Sequence, residues 1–177
     1  MLLASKVLET SQLAAVSRLF SASLMQELAR NGRSPLFARL ANESSLLDMT
    51  SPSEPVRNLF DSAFSLLKRK NYRHEYIYKA AIAHKVLLGK HSLQTAVMLN
   101  EFRVGDNKAD SVIFNGTSTV YEIKSERDSL SRLEKQISSY RKVFAKVNVI
   151  TGENHLDAVL ATTEKSVGVL LLTNQSS

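Results

Sequence analysis

The sequence predicts a mixed α/β fold in which helices occupy the first 70 residues and a sheet-containing domain follows. Apolar residues recur at helical spacing up to about residue 88, and between residues 96 and 124 they alternate with a period of two. An amphipathic helix and two short apolar runs come next, in an order typical of parallel strand–helix–strand connections. We therefore expect a helical N-terminal extension, residues 1–70, and an α/β domain, residues 71–177.

Three helices are expected before the first strand, each marked by a start or a stop signal. Ser53 can cap the second helix with Pro55 in its first turn, and Gly89 can end the third. Pro35 and Pro52 break the segment 33–53, for which we expect a loop with a short helical piece. The expected helices cover residues 11–31, ending at Asn31-Gly32, residues 53–70 and residues 73–88.

A meander of three antiparallel strands is expected after these helices, because turn residues separate three runs rich in β-branched and aromatic side chains. The expected strands cover residues 96–104, 109–114 and 118–124. A helix over 129–146, with an alternative start at Ser131, leads to a buried strand over 147–150, a short helix over 154–162 and a buried strand over 166–172. From residue 73 the order is α-β-β-β-α-β, then α-β, around a mixed sheet covered on both faces.

Composition excludes several classes of protein and site. The chain has no Cys, which excludes disulfides and thiolate metal sites. No apolar run approaches the roughly 18 residues needed to span a bilayer, and an early Glu9 argues against a signal peptide. We therefore expect a cytoplasmic protein that does not contact a membrane.

Positive charge is concentrated in the middle of the chain. Residues 71–146 hold 13 Lys and Arg against 8 Asp and Glu, whereas residues 147–177 hold 1 against 3. A basic surface around carboxylates suits a polyanion such as nucleic acid, although a solvated lysine-rich face explains the same excess.

The chemistry that the sequence suggests depends on Asp110, Glu122 and Lys124. Metal-assisted cleavage of a phosphodiester needs oxygen ligands around a cation such as Mg²⁺ and a positively charged group near the attacking water. Glu122 and Lys124 are two residues apart in one expected strand, so their side chains point to the same face. Asp110 begins the preceding strand and can supply a second carboxylate.

Whether Asp110 joins that face depends on the hairpin at Asn115-Gly116. A plain two-residue turn would place Asp110 opposite Tyr121, on the wrong side of the sheet from Glu122. A three-residue loop or one bulge would bring the two carboxylates onto one face. A Glu/Lys pair on a strand surface, which is the simpler interpretation, is compatible with either register.

Other chemistries have weak support. His74, His84 and His91 do not share a helix face in a way that favours a zinc site. The nucleophile-elbow and phosphate-loop motifs GxSxG, GxxxxGK[ST] and GxGxxG are absent from the sequence.

The run from Tyr72 to Ile150 resembles the PD-(D/E)XK nuclease superfamily, in particular a branch of uncharacterised bacterial and phage proteins. The resemblance is carried by YRHEYIYKAAI, EFRVGDNKAD and the long block YEIKSERDSLSRLEKQISSY. It implies a restriction-endonuclease-like α-β-β-β-α-β core, with Asp110 and Glu122 as metal ligands and Lys124 as the catalytic lysine. Ala109 stands where the superfamily label has Pro, and residues 1–70 are not covered.

The same resemblance implies roles for three further residues. Glu75 matches an acidic residue that many members place near the metal, although a surface Glu near a helix N-terminus is the alternative. Gln136 and Tyr140 form the Gln-x-x-x-Tyr of recombination exonuclease-type members and share a helix face, where they either contact substrate or, for Tyr140, pack in the core. Glu101 is an alternative to Glu75 as the upstream carboxylate and ranks below it.

The sequence thus favours a nuclease that hydrolyses phosphodiester bonds in DNA with Mg²⁺ or Mn²⁺, with Glu75, Asp110, Glu122 and Lys124 as catalytic residues. Arg132 and Lys135 lie just beyond the motif and are expected to contact the DNA backbone. With Gln136 and Tyr140 they make up the expected substrate-binding residues. The alternative is a non-catalytic module of the same fold that binds DNA or a protein partner in phage defence or regulation. Its N-terminal helices would then bind that partner or a second copy of the chain.

Overall fold

The computed structural model describes residues 8–49, 51, 53–69, 72–90 and 92–173. The chain divides into two compact units, Met1–Tyr76 and Ile77–Ser177. The first unit contains helices, and the second contains a five-stranded sheet with helices. The division lies close to the expected boundary between residues 70 and 71, and the independence of the two expected domains stays a prediction.

Four α-helices make up most of the first unit. The core of this unit includes the fully buried aliphatic side chains of Val16, Leu19, Leu24 and Leu40. The ring of Phe20 stacks on that of Tyr76, with 4.4 Å between the ring centroids. The helices are α1 (Thr10–Arg18), α2 (Ala22–Asn31), α3 (Pro35–Glu43) and α4 (Val56–Leu67), with a short 3₁₀ turn at Leu47–Met49.

The prediction of a single helix over residues 11–31 is wrong, because this segment forms two helices, α1 and α2. Ser21 takes an extended backbone (φ −69°, ψ 143°) between them. Both helices bury an apolar face, and the apolar residues keep their helical spacing across the break. The sequence pattern therefore does not reveal the break. The expected end is confirmed, since Gly32 closes α2 with φ 64°.

Two further expectations in this unit are corrected. Pro35 does not interrupt the chain but begins the nine-residue α3, where Pro is well tolerated, and Ser34 Oγ caps it by accepting from the Phe37 N–H at 3.0 Å. Ser53 does not cap α4, which begins at Val56 after Pro55. Helix α4 ends at Leu67, before the expected end at Lys70, which itself lies outside the described residues.

The third expected helix is irregular. Helix α5 (Glu75–Ala81) begins in the first unit and continues as a π-helix over Ile82–Leu88, with Gly89 as its C-terminal cap. Hydrogen bonds of the i→i+5 type widen the helix, a feature that periodicity cannot predict.

The second unit is a mixed α/β structure around one five-stranded sheet. Its strands, in the spatial order β1-β2-β3-β4-β5, are β1 (Val97–Val104), β2 (Asn107–Phe114), β3 (Ser118–Lys124), β4 (Lys146–Thr151) and β5 (Gly168–Leu171). The first three strands pair antiparallel, whereas β3–β4 and β4–β5 pair parallel. The expected meander and the expected parallel crossovers are therefore confirmed.

The two crossover helices are shorter than expected. Helix α6 (Leu133–Arg141) replaces the expected 129–146, because the backbone before it forms turns and Arg132 is its N-cap. Helix α7 (Leu156–Thr162) follows a 3₁₀ turn at Glu153–His155. Amphipathic spacing continues into these flanking turns, which explains the overestimate.

A single apolar cluster joins the sheet to these helices. Val112 and Val120 of the sheet pack with Leu133 and Tyr140 of α6 and Val159 of α7, all fully buried. Side chains of a strand alternate, so Glu122 and Lys124 extend this same face beyond Val120. Within the part of the chain that the structure describes, no helix has the length and apolarity to cross a membrane.

Candidate active site around Glu122 and Lys124

The β2–β3 hairpin has the register that the candidate site requires. Phe114 pairs with Ser118, which leaves a three-residue loop in which Gly116 adopts φ 83°. The pairing continues to Ser111 and Tyr121. Extending it by one residue places Asp110 opposite Glu122, on the same face of the sheet.

The pairing of the two strands ends at this point, and the side chain of Asp110 reaches from β2 to the backbone of β3. The pairing between β2 and β3 extends as far as Ser111 and Tyr121. Beyond it, Asp110 Oδ2 accepts a hydrogen bond of 2.7 Å from the backbone N–H of Ile123. The carboxylate thus takes the place of a backbone acceptor and is held by the same strand that carries Glu122.

Glu122 is a buried carboxylate, 2% exposed, whose two oxygens both accept hydrogen bonds. Its Oε1 accepts from Lys124 Nζ at 2.9 Å and from Gln136 Nε2 at 2.5 Å. Its Oε2 accepts from the Tyr140 hydroxyl at 2.9 Å. A buried charge needs such partners to offset its lost hydration, and here α6 and β3 supply them.

Gln136 contacts both members of the buried ion pair. Its Nε2 donates to Glu122, while its Oε1 accepts from Lys124 Nζ at 2.9 Å. The hydroxyl of Tyr140, one helical turn further along α6, also lies 3.2 Å from the carbonyl of Lys108. We refer to these four side chains, Glu122, Lys124, Gln136 and Tyr140, as the Glu122 network.

The electrostatics of the network keep Tyr140 neutral. Burial raises the pKa of its hydroxyl well above the usual range, and the charges of Glu122 and Asp110 together with the hydrogen bond to Glu122 raise it further. The Tyr140 hydroxyl therefore stays protonated at physiological pH and donates its hydrogen bond to Glu122.

Glu101 lies near Asp110 and has an unusual backbone. It adopts φ 59° in the middle of β1, and one of its carboxylate oxygens lies within 4.8 Å of one of Asp110. Lys79 and Lys108 each form an ion pair with it. Burial acts to raise the pKa of Glu101, but the hydrogen bonds and charges of the two lysines outweigh it and lower the pKa.

The other residues expected to take part in the site lie on helices α5 and α6. Glu75 is the first residue of α5 and belongs to the first unit, so its role near the metal stays a prediction. Arg132 and Lys135 are exposed at the start of α6. Gln136 and Tyr140 are buried in the Glu122 network, and their contact with substrate also stays a prediction.

A second group of contacts at the carboxyl ends of β3 and β4 was not expected from the sequence. The Tyr78 hydroxyl donates to Glu126 Oε2 at 2.9 Å, and Thr151 Oγ1 donates to the carbonyl of Lys124 at 3.0 Å. A Cβ at Gly152 would lie 2.7 Å from Glu126 Oε1 and 2.9 Å from the Tyr78 hydroxyl. A glycine directly after a buried strand is the only local sign of this close approach.

Carboxylate oxygens are the ligands that Mg²⁺ and Mn²⁺ prefer. Asp110 has such an oxygen within 4.8 Å of one of Glu101, and Glu122 is not part of that group. Glu122 uses three of the roughly four acceptor positions of a carboxylate for hydrogen bonds, which leaves one available. The expectation that Asp110 and Glu122 together hold a metal stays a prediction.

Comparisons with known proteins identify a phage family. The family model described as bacteriophage P4 protein cII matches residues 68–177. Protein cII of Enterobacteria phage P4 is 32% identical over 93 residues, which are 51% of this chain and 35% of that protein. The chain therefore spans about a third of the length of that curated relative.

Among solved structures, one similar chain comes from a refined half-complex of the tetradecameric assembly of Thermococcus gammatolerans McrB AAA+ hexamers with bound McrC. The alignment covers 89% of this chain and 46% of that chain, at 14% identity and a TM-score of 0.36. A likeness of this size supports no conclusion about fold or function.

Proposed function

The chain belongs to the bacteriophage P4 protein cII family, and we propose that it is a divalent-metal-dependent nuclease that hydrolyses phosphodiester bonds in DNA. The observation that carries the proposal is the buried pair of Glu122 and Lys124, with the Asp110 carboxylate bonded to the N–H of Ile123 between them in the sequence. A carboxylate and an ammonium group at 2% and 5% exposure are costly to bury, which favours a chemical role over a surface pair.

The fold is compatible with this proposal. From α5 onward the order is α-β-β-β-α-β, and the sheet is mixed. The sequence resemblance implies the same order for a restriction-endonuclease-like core. We propose that the second unit has this core, with the candidate site where β2 and β3 separate.

Each residue of the proposed site has a defined task. Asp110 and Glu122 would hold Mg²⁺ or Mn²⁺, which when bound supplies an acidified water and polarises a phosphate oxygen. Lys124, kept close by Glu122 and Gln136, would stabilise negative charge that develops on the phosphate. Glu75 is proposed as a further carboxylate of the site.

DNA is proposed as the substrate because the basic excess lies in the same part of the sequence. Arg132 and Lys135 are exposed where α6 begins, and they can contact a phosphate backbone without leaving the solvent. Gln136, which bonds to both members of the buried ion pair, directly follows Lys135 in α6.

A second candidate function is favoured by one observation. Both oxygens of Glu122 and the ammonium of Lys124 already have hydrogen-bond partners inside the protein. Such a satisfied network can serve as structure alone, in a nuclease-fold module that binds DNA or a protein partner. The helical unit would then offer the partner surface, including one for a second copy of the chain.

Cleavage assays separate the two functions. Linear, nicked and branched DNA would be incubated with the protein and Mg²⁺ or Mn²⁺, beside the variants Asp110→Asn and Lys124→Met. We expect each variant to lower the cleavage rate by about 100-fold or more, since each removes a group that acts on the transition state. Asp106→Asn, an exposed carboxylate in the β1–β2 turn, is the matched control and should cleave normally.

Cleavage that persists unchanged in both variants would overturn the site assignment. A wild-type protein that binds these DNAs in EDTA but cleaves none of them with either metal would favour the binding module.

A further inference from the structure

Glu101 joins two lysines that come from different elements. Its Oε1 contacts Nζ of Lys79 on α5, and its Oε2 lies 2.5 Å from Nζ of Lys108 on β2. Lys79 is only 18% exposed, whereas Lys108 is 57% exposed. The two ammonium groups therefore converge on one anion, and the fold rather than local sequence brings them together.

The chain makes this bridge with a strained backbone. Glu101 has φ 59°, a left-handed conformation that is unfavourable for a residue other than glycine. The β1–β2 register is the same on both sides of it, with Asn100 opposite Ser111 and Phe102 opposite Ala109. The distortion is thus confined to one residue, the one whose carboxylate reaches the lysines.

We propose that Lys79 and Lys108 form a phosphate-binding site, which the carboxylate of Glu101 fills from within the chain. A phosphate group resembles a carboxylate in offering two anionic oxygens to two ammonium donors, and lysine binds phosphate as a point charge. The low pKa of Glu101 agrees with a carboxylate that stays ionised between them.

The position of the site points to a phosphodiester of nucleic acid. Glu101 and Asp110 have carboxylate oxygens within 4.8 Å of each other, so a phosphate that displaced Glu101 would lie next to the proposed catalytic carboxylate. The identification of the ligand as DNA rests on the proposed function. Binding of the phosphate itself does not, because it needs neither a metal nor cleavage.

Glu101 then acts as a competitor of the ligand, and its removal should improve binding. The test uses a fluorescein-labelled single-stranded oligonucleotide, with the full-length protein in EDTA, and inorganic phosphate as a competitor. Glu101→Gln should bind the oligonucleotide about tenfold more tightly than the wild type, because two lysines lose their internal anion. The slope of log K against log salt should steepen by about 1.4, as expected for two added contacts to a single strand.

Two further sets of variants make the result specific. Glu101→Asn should show the same gain, because Asn is too short to bridge the lysines and tolerates the left-handed backbone, so that folding is preserved. Lys79→Met and Lys108→Met, each combined with Glu101→Gln, should abolish the gain. Glu43→Gln is the matched control, since it removes the same charge from an exposed pair with Arg39 in the helical unit. It should change affinity less than twofold.

Unchanged or weaker binding by both Glu101 variants would overturn the proposal. A gain that survives loss of the lysines, or that Glu43→Gln reproduces, would overturn it as well, because net charge would explain it. A protein without nuclease activity that still shows the lysine-dependent gain would retain this site while losing the proposed function.

Discussion

At the scale of single residues, the second unit is defined by buried polar groups that satisfy one another. Glu122 is the centre, and Lys124, Gln136 and Tyr140 each donate to it. A hydrogen bond to a charged group contributes about 1.5–3 kcal/mol, and a partner left unsatisfied in the interior costs a similar amount. The removal of any one donor should therefore be felt in stability as well as in chemistry.

Tyr140→Phe should lower the free energy of unfolding by about 1.5–3 kcal/mol at pH 7, because Glu122 Oε2 loses its donor. The folded protein raises the pKa of Tyr140 above the ordinary 10.0. Its contribution is therefore complete below pH 10 and is lost as the pH rises through the folded-state pKa. Urea unfolding at pH 7 and between pH 9 and 11 would measure both effects.

Tyr121→Phe is the control for this measurement. Tyr121 is also buried, but its hydroxyl makes no hydrogen bond among the described residues, so the change should be below about 0.5 kcal/mol. An equal loss in both variants would show that Glu122 gains nothing from Tyr140.

At the scale of secondary-structure elements, the sequence predicted the strands better than the helices. Turn residues and period-two patterning bracket β1 to β3, and the predicted bounds agree with the structure to within two residues. Helix limits were overestimated wherever an apolar stripe continued past the true end, as at Ser21 and Arg132. A stripe reports which face is buried and not where the backbone hydrogen bonds stop.

The candidate site was predictable to the extent that it follows from local periodicity. Strand alternation placed Glu122 and Lys124 together, and i,i+4 spacing placed Gln136 with Tyr140. Asp110 depended on the length of one loop, which the sequence left open between two registers. The contact of Tyr78 with Glu126 spans 48 residues and has no local pattern, so only the structure could reveal it.

Gly152→Ala tests how closely β4 approaches that contact. The new methyl group would lie within 3 Å of both Glu126 and the Tyr78 hydroxyl, so their hydrogen bond must shift or break. We expect a loss of about 1–3 kcal/mol in the free energy of unfolding, measured by urea denaturation. In a Glu126→Ala background the same substitution should cost clearly less, because the nearest atoms are gone. Equal costs in the two backgrounds would contradict the geometry.

At the scale of the whole molecule, the chain combines a helical unit with an α/β unit that carries the entire Glu122 network. The family match begins at residue 68 and so covers the second unit with only a few residues of the first. The α/β unit is therefore the part of the chain that the family model describes.

A fragment of residues 71–177 should fold alone, with a cooperative unfolding transition and the circular dichroism of a mixed α/β protein. The reason is that the sheet, α6 and α7 form one apolar cluster within that unit. Circular dichroism during urea unfolding would measure it. A fragment that is unfolded, while the full chain unfolds in one step, would show that residues 1–70 are required for the fold.

The bent backbone of Glu101 also affects how this protein behaves at high concentration. Strand β1 forms one edge of the sheet, and Val97 and Leu99 are exposed along it. A long, flat, apolar edge invites uncontrolled strand addition by neighbouring molecules. The single left-handed residue divides this eight-residue edge into two short pieces, each too short to recruit a foreign strand securely. We therefore expect this residue to discourage aggregation at the edge of the sheet, in a strand that contains no Pro.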